Sequence, residues 1–295
     1  MELKAPIRIY WDLTPAPLAR APDPLPICAE ILASRALSLH LYDGGALLGP
    51  ACRTALEALV GKAVAVTLSA SAAAVAGSAG ELRGLGVREV LVCAASVEEL
   101  RPFAAADWWR DVLDVPLGVS FRVGSDNWRE LPELLSFCDA EGVSQVVFPI
   151  PRARGGAPES YPDASARELL ALTLPVADQR PRVRLTIHDP FLWKVFYPER
   201  PFPEGGCQAA NTMLYIAPDA AVHPCPALPH PLGRLGEDSL AEIFGGERKR
   251  AVRQRLGTPP AECRPCAALP HCLGGCRGRG YSHGSSWEVA DPACR

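Results

Sequence analysis

Seven of the eleven cysteines of this 295-residue chain lie in its last third: Cys207, Cys225, Cys263, Cys266, Cys272, Cys276 and Cys294. Thiolates in such density point to zinc or iron–sulfur chemistry. Cys263 and Cys266 are separated by two residues and can face one metal centre together, and Cys272 and Cys276 follow in the same turn-rich segment. Gly274 and Gly275, between the last pair, let the backbone approach a cluster and offer N–H groups to sulfide. Four cysteines with one close pair also suit a structural zinc ribbon, but seven thiolates exceed one zinc site and fall short of two. Cys28, Cys52, Cys93 and Cys138 stand singly in apolar or helical contexts and read as small core residues.

This spacing resembles the SPASM domain, the auxiliary-cluster module that follows the catalytic barrel in many radical SAM maturases of peptides and proteins. Cys207 and Cys225 flank the hairpin sequence MLYIAPDAAV, the quartet Cys263, Cys266, Cys272 and Cys276 has two-, five- and three-residue gaps, and Cys294 lies near the end. The resemblance implies two [4Fe-4S] clusters with interleaved ligands. Cys263, Cys266, Cys272 and Cys294 would hold one, and Cys207, Cys225 and Cys276 the other. The second then has three thiolates, because residues 199–206 read ERPFPEGG where relatives carry a further cysteine. Its fourth iron site is expected to be open or bound by a group such as Glu204 or His223.

The elements ahead of this region are expected to be βα units. Strand-like runs (IRIYWDLT, LSLHLYD, KAVAVTLS, VREVLVC, PLGVSFRV, VSQVVFPI, RVRLTIHD) alternate with helical stretches from Ile7 to about residue 200. Asp126 or Asn127 is the expected cap of the helix over residues 128–141. Past Pro203 the pattern changes to hairpin and turn signals and one helix opening with a capping box from Ser239 to Glu242. The expected architecture is therefore α/β: a partial (β/α)6-type barrel over residues 1–200, then a small cysteine-rich domain over residues 201–295. Function in a barrel usually sits at the C-terminal ends of the strands.

The N-terminal body also resembles the radical SAM fold, beginning with Trp11, Asp12, Leu13 and Thr14. In that family three cysteines follow to hold the catalytic cluster, but alignment from Thr14 puts Pro17, Ala21 and Pro24 there, and Cys28 is the only cysteine before Cys52. The family's Gly-Gly-Glu segment appears as Gly44, Gly45 and Ala46, without the carboxylate. The expectation is a chain that does not cleave S-adenosylmethionine by itself.

Composition narrows the partners. A formal charge of −3, from 33 acidic against 30 basic residues, gives no broad positive field for nucleic acid. No segment is long and apolar enough for a membrane span, and Met1 to Thr14 does not read as a signal peptide, so a cytoplasmic location is expected. The basic stretch Arg248, Lys249, Arg250, Arg253 and Arg255 reads as a solvated helix face. His40, His188, His230, His271 and His283 lack ligand spacing with one another. A SPASM domain on a barrel without its catalytic cluster resembles the accessory SPASM proteins of GeoRSP type. That resemblance implies a partner role beside a complete radical SAM/SPASM enzyme and a small peptide-binding protein, contributing redox clusters or a peptide-docking surface. The alternatives are a metal-stabilised scaffold or peptide-binding module without electron transfer, and an enzyme using an open iron site as a Lewis acid.

Overall fold

A computed structural model describes residues 3–14, 22–45, 48–104, 115–150, 152, 161–174, 183–203 and 206–294. Each strand-like run read in the sequence forms a strand: β1 (Arg8–Asp12), β2 (Ser38–Asp43), β3 (Ala65–Ser71), β4 (Val87–Ala94), β5 (Leu117–Phe121), β6 (Gln145–Phe148) and β7 (Arg184–Ile187). Each pairs in parallel with the next. Helices α1 (Pro24–Ala33), α2 (Pro50–Leu59), α3 (Ala72–Leu82), α4 (Arg101–Ala104), α5 (Leu131–Ala140), α6 (Ala164–Thr173) and α7 (Pro190–Phe196) lie between or after them. The parallel arrangement requires such crossovers.

Three further strands continue the same sheet on the other side of β1. β8 (Met213–Ile216) pairs in parallel with β1, and β9 (Ala221–His223) and β10 (Gly233–Arg234) follow antiparallel. The order β10-β9-β8-β1-β2-β3-β4-β5-β6-β7 is an open sheet of ten strands, a partial barrel. Its backbone ladder runs without a break across residue 201, where the composition changes.

Alternation along the strands divides the sheet into two faces. Ile9, Trp11, Leu39, Leu41, Val66, Leu68, Val90 and Val92 belong to the main apolar core. Each such side chain contributes ~1.5–3 kcal/mol by burial. The residues between them face the barrel interior and are mostly polar: Tyr10, His40, Tyr42, Thr67 and Cys93 line one cavity. Cys93 therefore departs from the core role read for it, because Val90 and Val92 take the outward phase of β4 and Cys93 falls in the inward one.

Caps explain several helix starts. Asp23 accepts from Leu25 N–H, Ser71 from Ala74 N–H, Asp163 from Ala166 N–H, and Asp189 from both Phe191 and Leu192 N–H. Asn127 does not cap. The segment begins with a 3-10 turn at Trp128, and the buried Asn127 carboxamide instead accepts from Gly124 N–H and donates to the carbonyls of Ala95 and Arg122. It laces the exits of β4 and β5 together. In the C-terminal third, α8 (Leu240–Gly245) opens with the capping box of Ser239 and Glu242, and α9 (Glu247–Gly257) carries the basic stretch. Two of those cations are structural rather than solvated: Lys249 is buried over the Phe244 ring, and Arg253 donates to the carbonyls of Cys207 and Ala209. Among the described residues no helix is long and apolar enough to cross a membrane.

Candidate functional site

The seven C-terminal cysteines are placed by turns. Cys207 precedes a tight reversal in which Ala210 N–H donates to Pro224 O, so the chain entering β8 lies beside the chain leaving β9, where Cys225 sits. Cys276 is the N-cap of α11 (Arg277–Gly284), its sulfur accepting from Arg279 N–H at 3.4 Å. Cys263 ends a 3-10 turn, Cys266 N–H donates to Cys263 O, and Cys272 closes α10 (Leu269–Cys272). Between Cys272 and Cys276 three successive residues, Leu273, Gly274 and Gly275, have positive φ of 53°, 83° and 71°. Glycine is needed at the last of them for a second reason, since a Cβ on Gly275 would come within 2.5 Å of the Asp291 carboxylate.

The thiols influence one another in two sets. Burial first, then the neighbouring sulfurs of Cys207 and Cys276, pushes the Cys225 thiol far up. Cys276 is pushed up to about 12, by burial first, with Asp291 and Cys207 adding to it against the lowering effect of Arg279. Cys207 is also raised by burial, although its side chain is exposed: the area it exposes lines the barrel cavity. In the other set, burial raises Cys263, followed by Cys272 and Cys294, and burial raises Cys294, followed by Cys272 and Cys266. Thiols held up in this way ionise against a bound cation, so thiolate and metal arrive together. Soft, mutually adjacent sulfur donors of this kind fit iron–sulfur clusters. Among the described residues no three Cys, His, Asp or Glu side chains converge on one point as a single ion requires.

The two proposed fourth ligands fare differently. Glu204 lies outside the described residues. His223 is on β9, where its charged or titratable neighbours are Asp219, His230 and Arg234, and no thiol is among the groups acting on it. Burial lowers its pKa, and its Nδ1 is buried without a hydrogen-bond partner among the described residues.

A buried ion network ties both cysteine sets to the barrel. Arg279, 8% exposed, donates through Nε and Nη2 to the two oxygens of Asp291 at 2.6 and 2.7 Å. Its Nη2 also lies 2.7 Å from Asp189, the cap of α7, and its guanidinium stacks on Tyr161. Asp291 accepts in turn from Cys276 N–H at 2.6 Å, and its own carbonyl accepts from Cys294 N–H at 2.9 Å. One residue thus orients a member of each set, Cys276 through its carboxylate and Cys294 through its backbone carbonyl.

Inside the barrel, Tyr10, His40 and Tyr42 stack with centroid separations of 5.3 and 4.5 Å, flanked by Arg8 near the Tyr10 ring and Arg152 over the Tyr42 ring. Arg152 also bonds Asp12 at 2.7 Å, and Tyr215 donates to the same carboxylate oxygen at 3.0 Å. This fully buried Asp12 closes the C-terminal end of β1, just before the loop where a catalytic cluster would be expected. Pro17, Ala21 and Ala46 lie outside the described residues. Pro24 is the first residue of α1, and Cys28 is buried on that helix, its thiol pushed up to about 11 by burial first and by Asp23. Cys138 is likewise buried and raised to about 12, and Cys52 is raised further, by burial first.

His40 offers a pH test of the barrel interior. Burial, then Arg8, His188 and Arg152, lowers its pKa to about 3, and its Nε2 lies 2.6 Å from Ser69 Oγ. The unfolded chain takes up a proton below about pH 6.5, which the folded chain refuses. The stability due to neutral His40 is thus complete above that pH and is lost as pH falls toward the folded value. In thermal melts, His40→Gln should show a shallower loss of stability between about pH 6.5 and 5 than the parent. Equal slopes would mean that His40 is free to ionise in the fold.

Comparison with known proteins agrees with this organisation. Residues 207–267 match the SPASM family, described as an iron–sulfur cluster-binding domain. No curated protein matches the chain. Among solved structures, Streptococcus suis SuiB bound to S-adenosylmethionine is similar with a TM-score of 0.69 at 15% identity, covering 100% of this chain and 76% of that one. SuiB bound to the precursor peptide SuiA gives 0.69 at 14%, covering 100% and 77%. The anSMEcpe structure with bound AdoMet gives 0.68 at 12%, covering 98% and 90%. At these identities the likeness is one of fold. Residues 207–267 thus match a SPASM iron–sulfur cluster-binding domain, and the chain as a whole has the α/β fold of SuiB and anSMEcpe.

Proposed function

We propose that this chain is an iron–sulfur accessory protein that works beside a complete radical SAM maturase in peptide or protein modification. In this reading Cys263, Cys266, Cys272 and Cys294 hold one [4Fe-4S] cluster, and Cys207, Cys225 and Cys276 hold a second whose remaining iron site is open or bound by a non-cysteine group. Such clusters supply one-electron redox capacity. The observation that carries the reading is the contrast between the two ends of the molecule. Seven thiols gather in the C-terminal third, whereas Cys28, the sole cysteine in the first 51 residues, is buried on α1 with its sulfur 3.9 Å from Ala55 O. One inert thiol cannot replace three cluster ligands.

The chain's own residues contribute position and surroundings. Asp291 and Arg279 fix the turns bearing Cys276 and Cys294, while the cavity links Cys207, Cys225 and Cys276 to the barrel interior. SuiB is known with a precursor peptide bound, and the room in this barrel's cavity for such a peptide supports the partner role. The division into a barrel over residues 1–200 and a cluster domain over 201–295 belongs to the same proposal. A second reading, a metal-stabilised scaffold that binds peptide without electron transfer, draws on that same cavity.

Anaerobically purified protein is expected to contain about eight iron and eight sulfide per chain. With dithionite and S-adenosylmethionine it should form no 5′-deoxyadenosine until a complete radical SAM partner is added. Stoichiometric zinc without sulfide would overturn the cluster reading, and enzyme-dependent nucleoside from the chain alone would overturn the accessory role.

A further inference from the structure

The cavity that joins the barrel interior to Cys207, Cys225 and Cys276 has a volume of about 1620 Å³. That exceeds the ~300–1,000 Å³ of small-molecule sites and suits a peptide segment. Its wall is strongly asymmetric in charge. Among the described residues seven arginines line it against two glutamates, Glu89 and Glu99, although the whole chain has a formal charge of −3.

Most of these arginines are already engaged. Arg152 is paired with Asp12, Arg184 faces Glu89 at 3.7 Å, and Arg122 faces Asp126 at 3.8 Å. Arg253 and Arg277 hold backbone carbonyls near the thiols. Arg8 is different. Its guanidinium bonds the Tyr10 hydroxyl at 3.2 Å and meets no carboxylate among the described residues. It stands at the first residue of β1, paired with Met213 of β8. By the β8–β9 register, in which Tyr215 faces His223, Cys225 lies at that same level.

We propose that Arg8 anchors a carboxylate of a peptide lying in the barrel cavity, beside the Cys207, Cys225 and Cys276 set. This rests on the peptide-docking reading and deepens it by assigning the ligand a charge and the site an anchor. A guanidinium that spends one N–H on a hydroxyl keeps donors enough to receive a carboxylate bidentately. The surroundings reinforce the selection. His188 and His40 are held neutral at physiological pH by burial first and by the arginine charge next, so the cavity keeps its positive potential without adding a titrating group. Tyr10 orients the guanidinium from one side, leaving its remaining N–H groups for the ligand.

Fluorescence anisotropy on anaerobic, cluster-loaded protein tests the proposal. The probe is a short fluorescein-labelled peptide with alternating glutamates in a Gly/Ser background, compared with its glutamine isostere and with C-terminally amidated forms of both. The glutamate peptide should bind about tenfold or more tightly than the glutamine isostere and weaken with added salt. Arg8→Gln should remove most of that preference without changing the melting temperature, because Arg8 is exposed to the cavity. Arg129→Gln, a guanidinium stacked on Trp128 outside the cavity, should leave it unchanged. If amidation of the glutamine peptide alone abolishes binding, the anchor holds and the recognised carboxylate is the chain terminus. Equal affinity for all four peptides, with Arg8→Gln silent, would overturn the anchor and leave peptide docking standing. Failure of every peptide to bind loaded protein would overturn both.

Discussion

Asp291→Ala is expected to cost about 3–5 kcal/mol of stability, because it leaves the Arg279 guanidinium buried with half its compensation removed. That is a large part of the ~5–15 kcal/mol that holds a typical domain folded. Arg279 is 8% exposed, and Asp291 takes both of its hydrogen bonds, leaving Asp189 as the remaining anion at 2.7 Å. The same substitution removes the acceptor of Cys276 N–H. A lost hydrogen bond alone would cost ~1 kcal/mol, so the stranded charge dominates. The melting temperature of anaerobic protein should fall by roughly 10 °C. The triple variant Arg279→Met with Asp189→Asn and Asp291→Asn removes the cation and both of its buried anions, keeps amide acceptors for the α7 cap and for Cys276 N–H, and should recover a substantial part of the loss. A single variant melting within about 1 °C of the parent would show that the network contributes little to folding.

This network also shows where sequence reading stops. Asp189, Arg279 and Asp291 are ordinary polar residues in their local contexts, and their pairing appears only when α7 and α11 are packed together. Local periodicity, by contrast, is written into adjacent residues. The run SLHLYD shows Leu39 and Leu41 alternating with His40 and Tyr42, and the strand follows from that pattern. The same alternation held the signal for the cavity, since polar residues on the inner phase of a strand expected in a barrel leave its interior unfilled. His40 has no ligand spacing with the other histidines, and its stack with Tyr10 and Tyr42 exists only once β1 and β2 are paired. Asn127 was legible as a helix-cap residue type, but the 3-10 start at Trp128 turned its carboxamide toward Ala95 and Arg122. The capping box at Ser239 and Glu242 is wholly local and formed as its spacing indicated. The cysteine spacing was legible because cluster ligands must be contributed by fixed turns, and the family match over residues 207–267 rests on the same kind of pattern. Which sulfur belongs with which is a tertiary matter.

That partition carries the other large expected effect. Deleting Cys294 and Arg295 should weaken one cluster and leave the other intact. Cys294 closes a 3-10 turn, its N–H donating to Asp291 O, and the deletion keeps the Asp291 carboxylate that holds Arg279 and Cys276. The sulfurs that act on the Cys294 thiol are those of Cys272 and Cys266, and the sulfurs that act on Cys225 are those of Cys207 and Cys276. Cys207→Ala should therefore perturb the complementary signal. An unligated cysteine in a frayed terminus predicts instead that the deletion changes nothing, since chain ends order only when tied down. Here the terminus is tied, with Ala293 O accepting from Arg167 Nη1 at 2.6 Å and Ala293 itself buried. Iron, sulfide and low-temperature electron paramagnetic resonance on reduced parent, deletion and Cys207→Ala proteins separate the cases. Two different signals lost, one per variant, would support the two-set ligation. If both variants erase the same signal, or the deletion erases none, the cysteines are divided between the clusters in another way.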